Sequence, residues 1–361
     1  MITRRLSVVL FVLLSGSLFG QGRDNLIVLT KGDRIEDLVI RFNELGEFNG
    51  SVLVVENGSI IYENTIGLAD TETMDPLDAS MPFYLASLSK QFTSEAVLIL
   101  KQEGKLSLDD PLKKYLPLMP KIYNGITIRH LLTHTSGVKD YISTDIIHPG
   151  LTNQDVYKML ITRRSLDFPP GQKFRYSNSG YVLLAMIIEV ASGQRYPDFL
   201  QKKIFGPLKM DHTFVMTDIH PSMDLVKGYT EKWRPDDYHF LTYGDGGIYS
   251  TAMDLYKWDR ALKANSLIPS DVQNQAYLPT RLVNGSVRRY GFGWEIGENS
   301  NGKIVYHSGG LNGFRTYIER QMGEDNSIIL LNNTSSEKIL SMRNLLVKIL
   351  DNRPYALPED K

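Results

Sequence analysis

No cysteine occurs among the 361 residues. Disulfide staples and attachment through a lipidated cysteine are therefore excluded, and stability must come from the size of the core. A surplus of charge is missing as well, since 40 Lys and Arg stand against 41 Asp and Glu, a formal net charge of −1. That balance speaks against nucleic acid or an anionic membrane surface as a partner. Low-complexity tracts and solenoid-type repeats are absent. So is a comfortable bilayer span, which needs roughly 20 apolar residues. The apolar run that follows Arg4 and Arg5 ends near Ser15-Gly-Ser17 and has the pattern of a secretory signal peptide. Cleavage after Ser17 places small residues at both key positions; cleavage after Gly20 is the other option, and an uncleaved anchor is the competing reading.

What is present is ordinary globular material, 42% hydrophobic and 22% charged, enough for one large core or two lobes. Residues 33–45 repeat apolar side chains with a helical period. Residues 50–56 and 60–64 are β-rich and flank Asn57-Gly58, a hairpin signal. The middle of the chain reads as helices: short capped elements near Ser107 and over 128–137, the latter stopping at Gly137, then 153–162 and the strongly apolar 180–192 ending at Gly193. Strand character returns at 303–307, 314–319 and 327–331, and a helix over 337–350 follows. The economical fold is α+β, an antiparallel sheet flanked by terminal helices plus an all-helical lobe. In this division residues 1–20 are the signal peptide and 30–350 the folded domain, with a sheet lobe from 30–82 and 225–350, a helical lobe over 83–224 and a tail at 351–361.

Chemistry gathers at Phe83-Tyr-Leu-Ala-Ser-Leu-Ser-Lys-Gln-Phe-Thr93. Ser87 and Lys90, three apart at a helix start, share a face. The mostly apolar 92–100 that follows marks a buried helix, and a lysine held against it loses hydration, which favours the neutral amine. A nucleophile and its base are thus adjacent. The spacing alone is weak evidence, because Ser335-Ser-Glu-Lys338 repeats it where a helix N-cap is expected. Tyr176 and Asn178 lie in the turn before the apolar helix, suited to proton relay and to holding an amide; Tyr62-Glu-Asn64 is a chance copy on a strand. His307-Ser308-Gly309-Gly310 ends a strand, with glycines that let backbone N–H groups approach a ligand; His148-Pro-Gly150 copies it in a loop.

Taken in order, Ser87-x-x-Lys90, Tyr176-x-Asn178 and His307-x-Gly309 resemble the serine β-lactamase and penicillin-binding protein family, in particular its class C β-lactamase and D,D-peptidase-like branch. Leu131-Leu-Thr-His-Thr-Ser-Gly137, the run from Pro170 to Asn178, Gly246-Gly-Ile-Tyr-Ser-Thr251 with Asp254 and Trp258, and Gly291-Phe-Gly-Trp294 extend the resemblance across 30–350. It implies a β-lactamase/transpeptidase-like fold and a cofactor-free hydrolase of an ester or amide bond in a small molecule or peptide. Ser87 would attack a carbonyl, Lys90 and Tyr176 would take its proton and return it to the leaving group, and Tyr176 would help activate water. The N–H groups of Ser87 and Gly310 would form the oxyanion hole, and Asn178 would orient the substrate amide. A sensor that acylates without efficient turnover is the alternative. His307 and Ser308 replace the lysine and threonine of many β-lactamases, which implies weak β-lactamase action and, with an ordinary histidine pKa of about 6.5, substrate selectivity that changes with pH.

Other residues carry weaker readings. His130 and His134 share a helical face but lack the glutamate of a metalloprotease pair, so no metal site is expected. Arg315 is a candidate for a substrate carboxylate and Asp245 for the cleft mouth, while Trp258 and Trp294 read as core. A periplasmic or secreted location follows from the leader. N-terminal sequencing of the exported protein should begin just after residue 17 or 20, and recovery of intact Met1 in the membrane fraction would show an anchor instead.

Overall fold

The computed structural model describes residues 29–218, 225–236 and 240–360. The signal peptide expected over 1–20 lies outside the described residues. Helix α1 (Lys31–Glu44) opens on a reciprocal cap, in which the Thr30 hydroxyl accepts from the Asp33 N–H and the Asp33 carboxylate accepts from the Thr30 N–H. Its Ile35, Leu38, Val39 and Phe42 form one buried stripe. Strands β1 (Gly50–Glu56) and β2 (Ser59–Ile66) follow. They are joined by Asn57 and Gly58, both in the left-handed region at φ 49° and 78°, as a two-residue hairpin turn requires.

The sheet has six antiparallel strands in the spatial order Glu295–Asn299, Gly302–Leu311, Phe314–Gln321, Asn326–Asn332, β1, β2. The first four come from late in the chain, and Asn326–Asn332 pairs with β1 from Gly50↔Asn332 to Val55↔Ser327. Period-2 alternation then assigns the faces. Val52, Val54, Ile328 and Leu330 join α1 and the last helix, Ile339–Leu350, on one side. Leu53, Val55, Ile329 and Leu331 face the larger core on the other.

That larger core surrounds α2 (Ser89–Gln102), in which every residue from Ser89 to Leu100 is buried. Such a helix is held by packing on all sides. The Phe92 ring lies 4.6 Å from Trp258, in the helix Ala252–Ala264, and 5.5 Å from Phe205. Further along come α3 (Ile128–Leu132), α4 (Asn153–Ile161) and α5 (Asn178–Ser192), the last stopped by Gly193 at φ 70°. Trp258 and Trp294 are both buried. No helix among the described residues is long and apolar enough to cross a membrane.

Two local expectations change. Helix α3 ends at Leu132, five residues before Gly137, because His134 turns into the left-handed region at φ 55°. Near the C-terminus Ser335 caps no helix: its hydroxyl accepts from the Glu231 N–H at 3.0 Å, and the helix begins at Ile339 without a side-chain cap.

One buried acid on α2 sets a stability test. Glu95 is 2% exposed, and its Oε1 has no hydrogen-bond partner among the described residues. Burial pushes its carboxyl up to about 8, with Gln273 and Arg320 pulling less strongly the other way. The folded protein therefore keeps a proton that the unfolded chain sheds near 4.5. This contribution to stability is complete below that value and is lost as pH rises toward 8. Glu95→Gln should flatten the fall in urea midpoint between pH 5 and 8; equal slopes in the two proteins would assign the fall elsewhere.

Candidate active site

The site begins with a strained turn. Ala86 has φ 49°, a cost that a non-glycine residue bears only where its surroundings enforce it. The enforcing contacts come from the sheet. The Thr316 hydroxyl donates to the Leu85 carbonyl at 2.8 Å. Gly309 sits so close that a Cβ there would stand 2.3 Å from that same oxygen. The strand carrying Gly309 and Gly310 is thereby pressed against the turn that carries Ser87.

Lys90 lies in the first turn of α2, fully buried. Its Nζ is 3.0 Å from Ser87 Oγ, 2.9 Å from Asn178 Oδ1 and 2.7 Å from the Asp245 carbonyl oxygen. Burial lowers its pKa to about 8, against the pull of Asp245 and Asp140. Asn178 is oriented from behind, because Asp140 accepts from both its backbone N–H and its Nδ2. Only Oδ1 is then left to face the lysine. Asn178 Oδ1 and the Asp245 carbonyl can only accept, so they take two amine hydrogens in any protonation state. The third position on Nζ faces Ser87. When Lys90 is neutral its lone pair points there, and the serine O–H becomes the donor. This is the arrangement of a nucleophile with its general base.

Tyr176 faces Ser87 from the turn before α5. Its hydroxyl is buried without a hydrogen-bond partner among the described residues, and the Lys90 ammonium lies over its ring at 4.9 Å. Burial drives its pKa well above the usual tyrosine value, and the nearby Ser87 hydroxyl offsets only part of this. Tyr176 is therefore a protonated donor at neutral pH. Ser87, Tyr176, Asn178, Asp245 and Gly310 line one cavity of about 190 Å³, together with Tyr84, Tyr141, Ile142 and Leu311. A larger groove of about 560 Å³ beside Arg129 and Leu278 does not reach Ser87.

His307 differs from its sequence reading. It is 4% exposed, Tyr290 Oη meets its Nε2 at 3.1 Å, and its Nδ1 meets the Ser308 carbonyl at 2.7 Å. Burial, with the charge of Lys90 second, lowers its pKa to about 3. It stays neutral across the ordinary pH range, and the expected titration near 6.5 is lost. Arg315 is engaged elsewhere, with Glu337 at 2.7 Å and with the Asn312 and Phe314 carbonyls. His130 and His134 part company: His130 closes the cap of α3 with Thr127, while His134 stacks on the Tyr176 ring at 4.1 Å. Asp140, Tyr141 and Tyr290 were not singled out from sequence. Their only signal was position, just after Gly137 and just before Gly291.

Residues 35–349 match the model of the family described as Beta-lactamase. The chain belongs to the beta-lactamase family. Its members include serine hydrolases and penicillin-binding proteins that act through an acyl-serine. Penicillin-binding protein 4* of Bacillus subtilis is 36% identical over 358 residues, covering 91% of this chain and 79% of that protein. The octameric penicillin-binding protein homologue from Pyrococcus abyssi superposes with a TM-score of 0.76 at 26% identity, over 89% of this chain and 77% of that one. A class C beta-lactamase, at 22% identity and a TM-score of 0.76, shares the β-lactamase/transpeptidase fold over 92% of this chain and 97% of its own.

If Lys90 must be neutral for Ser87 to react, labelling of this beta-lactamase family member by a fluorophosphonate should accelerate as pH rises through about 8 and level off above it. Lys90→Ala should lose both the inflection and about 10²–10⁴-fold in rate. A wild-type profile flat from pH 6 to 10 would remove Lys90 as the base.

Proposed function

We propose that the protein is an exported serine hydrolase that opens an ester or amide bond in a small molecule or peptide. The observation that carries this reading is the third position on Lys90 Nζ: two fixed acceptors leave only Ser87 Oγ, at 3.0 Å, for the amine lone pair. In acylation, Ser87 Oγ bonds to the carbonyl carbon while its proton passes to Lys90. The carbonyl oxygen, now anionic, is held by the N–H groups of Ser87 and Gly310. When the bond to the leaving group breaks, Tyr176 supplies its proton. The unspent, strongly bound proton on that hydroxyl supports a donor role over a resident base. The proton that Lys90 took from Ser87 then restores Tyr176, so the amine is neutral again when water attacks the acyl-enzyme; Lys90 accepts the water's proton and returns it to Ser87 Oγ as the acyl bond breaks.

Asn178 works mainly through Lys90 in this scheme, since its Oδ1 and one Nδ2 hydrogen are already committed. Small neutral acyl groups suit a cavity of about 190 Å³ with aromatic walls and a neutral His307. Ser308 belongs to the strand that supports the oxyanion hole.

Fluorophosphonate labelling and peptide mapping should mark Ser87, with the label lost in Ser87→Ala. On a panel of p-nitrophenyl esters, D-amino-acid peptides and a chromogenic cephalosporin, neutral esters should turn over best. Tyr176→Phe should slow turnover by about 10²-fold or more without changing the thermal midpoint. A stoichiometric burst with no turnover on any substrate would make the protein a sensor that is acylated and stays so. Labelling at Ser335 would overturn the site itself.

A further inference from the structure

The buried groups His134, Tyr290 and His307 take no part in the proton transfers above, yet they form one continuous chain. The Ser177 N–H meets His134 Nδ1 at 3.1 Å, His134 Nε2 meets Tyr290 Oη at 3.1 Å, Tyr290 Oη meets His307 Nε2 at 3.1 Å, and His307 Nδ1 meets the Ser308 carbonyl at 2.7 Å. Both ends have fixed polarity. The Ser177 N–H can only donate, so His134 Nδ1 is bare and its proton sits on Nε2. That N–H donates to Tyr290. The single tyrosine hydrogen must then serve His307 Nε2, which leaves the second imidazole proton on Nδ1, donated to a carbonyl that can only accept. With neutral rings the chain admits one hydrogen assignment and leaves no link empty.

Protonating His134 would set an N–H against the Ser177 N–H. Protonating His307 would strand the Tyr290 hydrogen. The charge that acts on both rings is that of Lys90, which opposes their protonation; the rings packed beside them, Phe174, Tyr176, Tyr181 and Tyr290, carry none at neutral pH.

The ends of the chain matter more than its middle. Ser177 lies between Tyr176 and Asn178, and Ser308 lies between His307 and the Gly309-Gly310 pair. One end is therefore in the turn carrying the tyrosine and the asparagine. The other is in the strand pressed against the Ser87 turn. His134 also stacks on the Tyr176 ring at 4.1 Å with 30° between planes, fixing the ring from one face.

We propose that His134 and Tyr290 are positioning residues for acyl transfer: their one-way hydrogen-bond chain spans the cleft from the Tyr176–Asn178 turn to the Ser308–Gly310 strand and holds the two at working distance from Ser87. The proposal rests on the hydrolase reading for its kinetic consequence but not for its spectroscopic one. Long-range ¹H–¹⁵N spectra of the full mature chain should show His134 protonated on Nε2 and His307 on Nδ1, both neutral from pH 6 to 8. A His307 proton on Nε2, or an imidazolium in that range, would overturn the chain whatever the protein hydrolyses.

Tyr290→Phe keeps the ring and removes both bridges. With the p-nitrophenyl ester that wild type turns over best, it should lower kcat by about 10- to 100-fold, as small misplacements of reacting groups do, with KM changed less than about threefold. His134→Gln, which still offers a donor toward Tyr290, should retain more kcat than His134→Leu. A folded Tyr290→Phe with unaltered kcat, or Gln and Leu variants equally impaired, would overturn the positioning role. Should the variants fail to fold, the wild-type tautomers decide. If wild type turns over no ester or amide, the hydrolase reading fails while the tautomer test still stands.

Discussion

Everything at the site depends on keeping an amine out of water without leaving it unpaired. A buried ammonium with no partners would destabilise the fold or simply lose its proton. Lys90 has three acceptors, two of them incapable of donating, so the cost of burial is offset while the balance between charged and neutral forms stays close. That compromise requires α2 to be enclosed on all sides, and the enclosure explains the chain's investment in apolar 92–100 and in the helices packed around it. It also requires Asp140 to lock the Asn178 amide and the loop at Asp245 to present a carbonyl inward. The nucleophile is the least specialised part of the arrangement. In the proposed reaction its reactivity is borrowed from the lysine behind it.

Much of this was legible in the sequence, and the reasons are local. Asn57-Gly58 names a turn because few residue pairs accept two positive φ values in succession. The terminal helices and late strands follow from their periods, and the order of the three short motifs separates the copies that the fold brings together from the chance ones. The chance copies fail in the structure for visible reasons. Lys338 is half exposed, Asn64 spends its amide on the Tyr62 hydroxyl, and His148 bonds to the neighbouring Pro149 carbonyl in an exposed loop.

What was not legible depends on contacts between distant segments. The sequence shows that position 307 is histidine but not that Tyr290 and the Ser308 carbonyl enclose it, so its ordinary pKa was the wrong starting value. Nothing in Leu131-Leu-Thr-His-Thr-Ser-Gly137 says that its histidine leaves the helix to lie under Tyr176; that follows from a left-handed turn at His134 itself. Asp140 and Tyr141 are unremarkable as letters. They matter because α5 starts where its first residue can bond to Asp140. Spacing along the chain reports neighbours within one element, and this site is assembled from six separate stretches.

The sheet order has a consequence for when the chemistry can first exist. Ser87 and Lys90 are made within the first quarter of the chain, yet β1 takes its inner neighbour from Asn326–Asn332, and the strand pressed on the Ser87 turn is Gly302–Leu311. A growing chain holds its nucleophile long before it holds the surfaces that dehydrate the lysine or strain the turn. Until the last strands arrive, Lys90 is a hydrated ammonium and Ser87 an ordinary alcohol. Contacts of such long sequence separation are slow to close, and the delay is protective: an intermediate in synthesis carries Ser87 and Lys90 without the surroundings that bring them together.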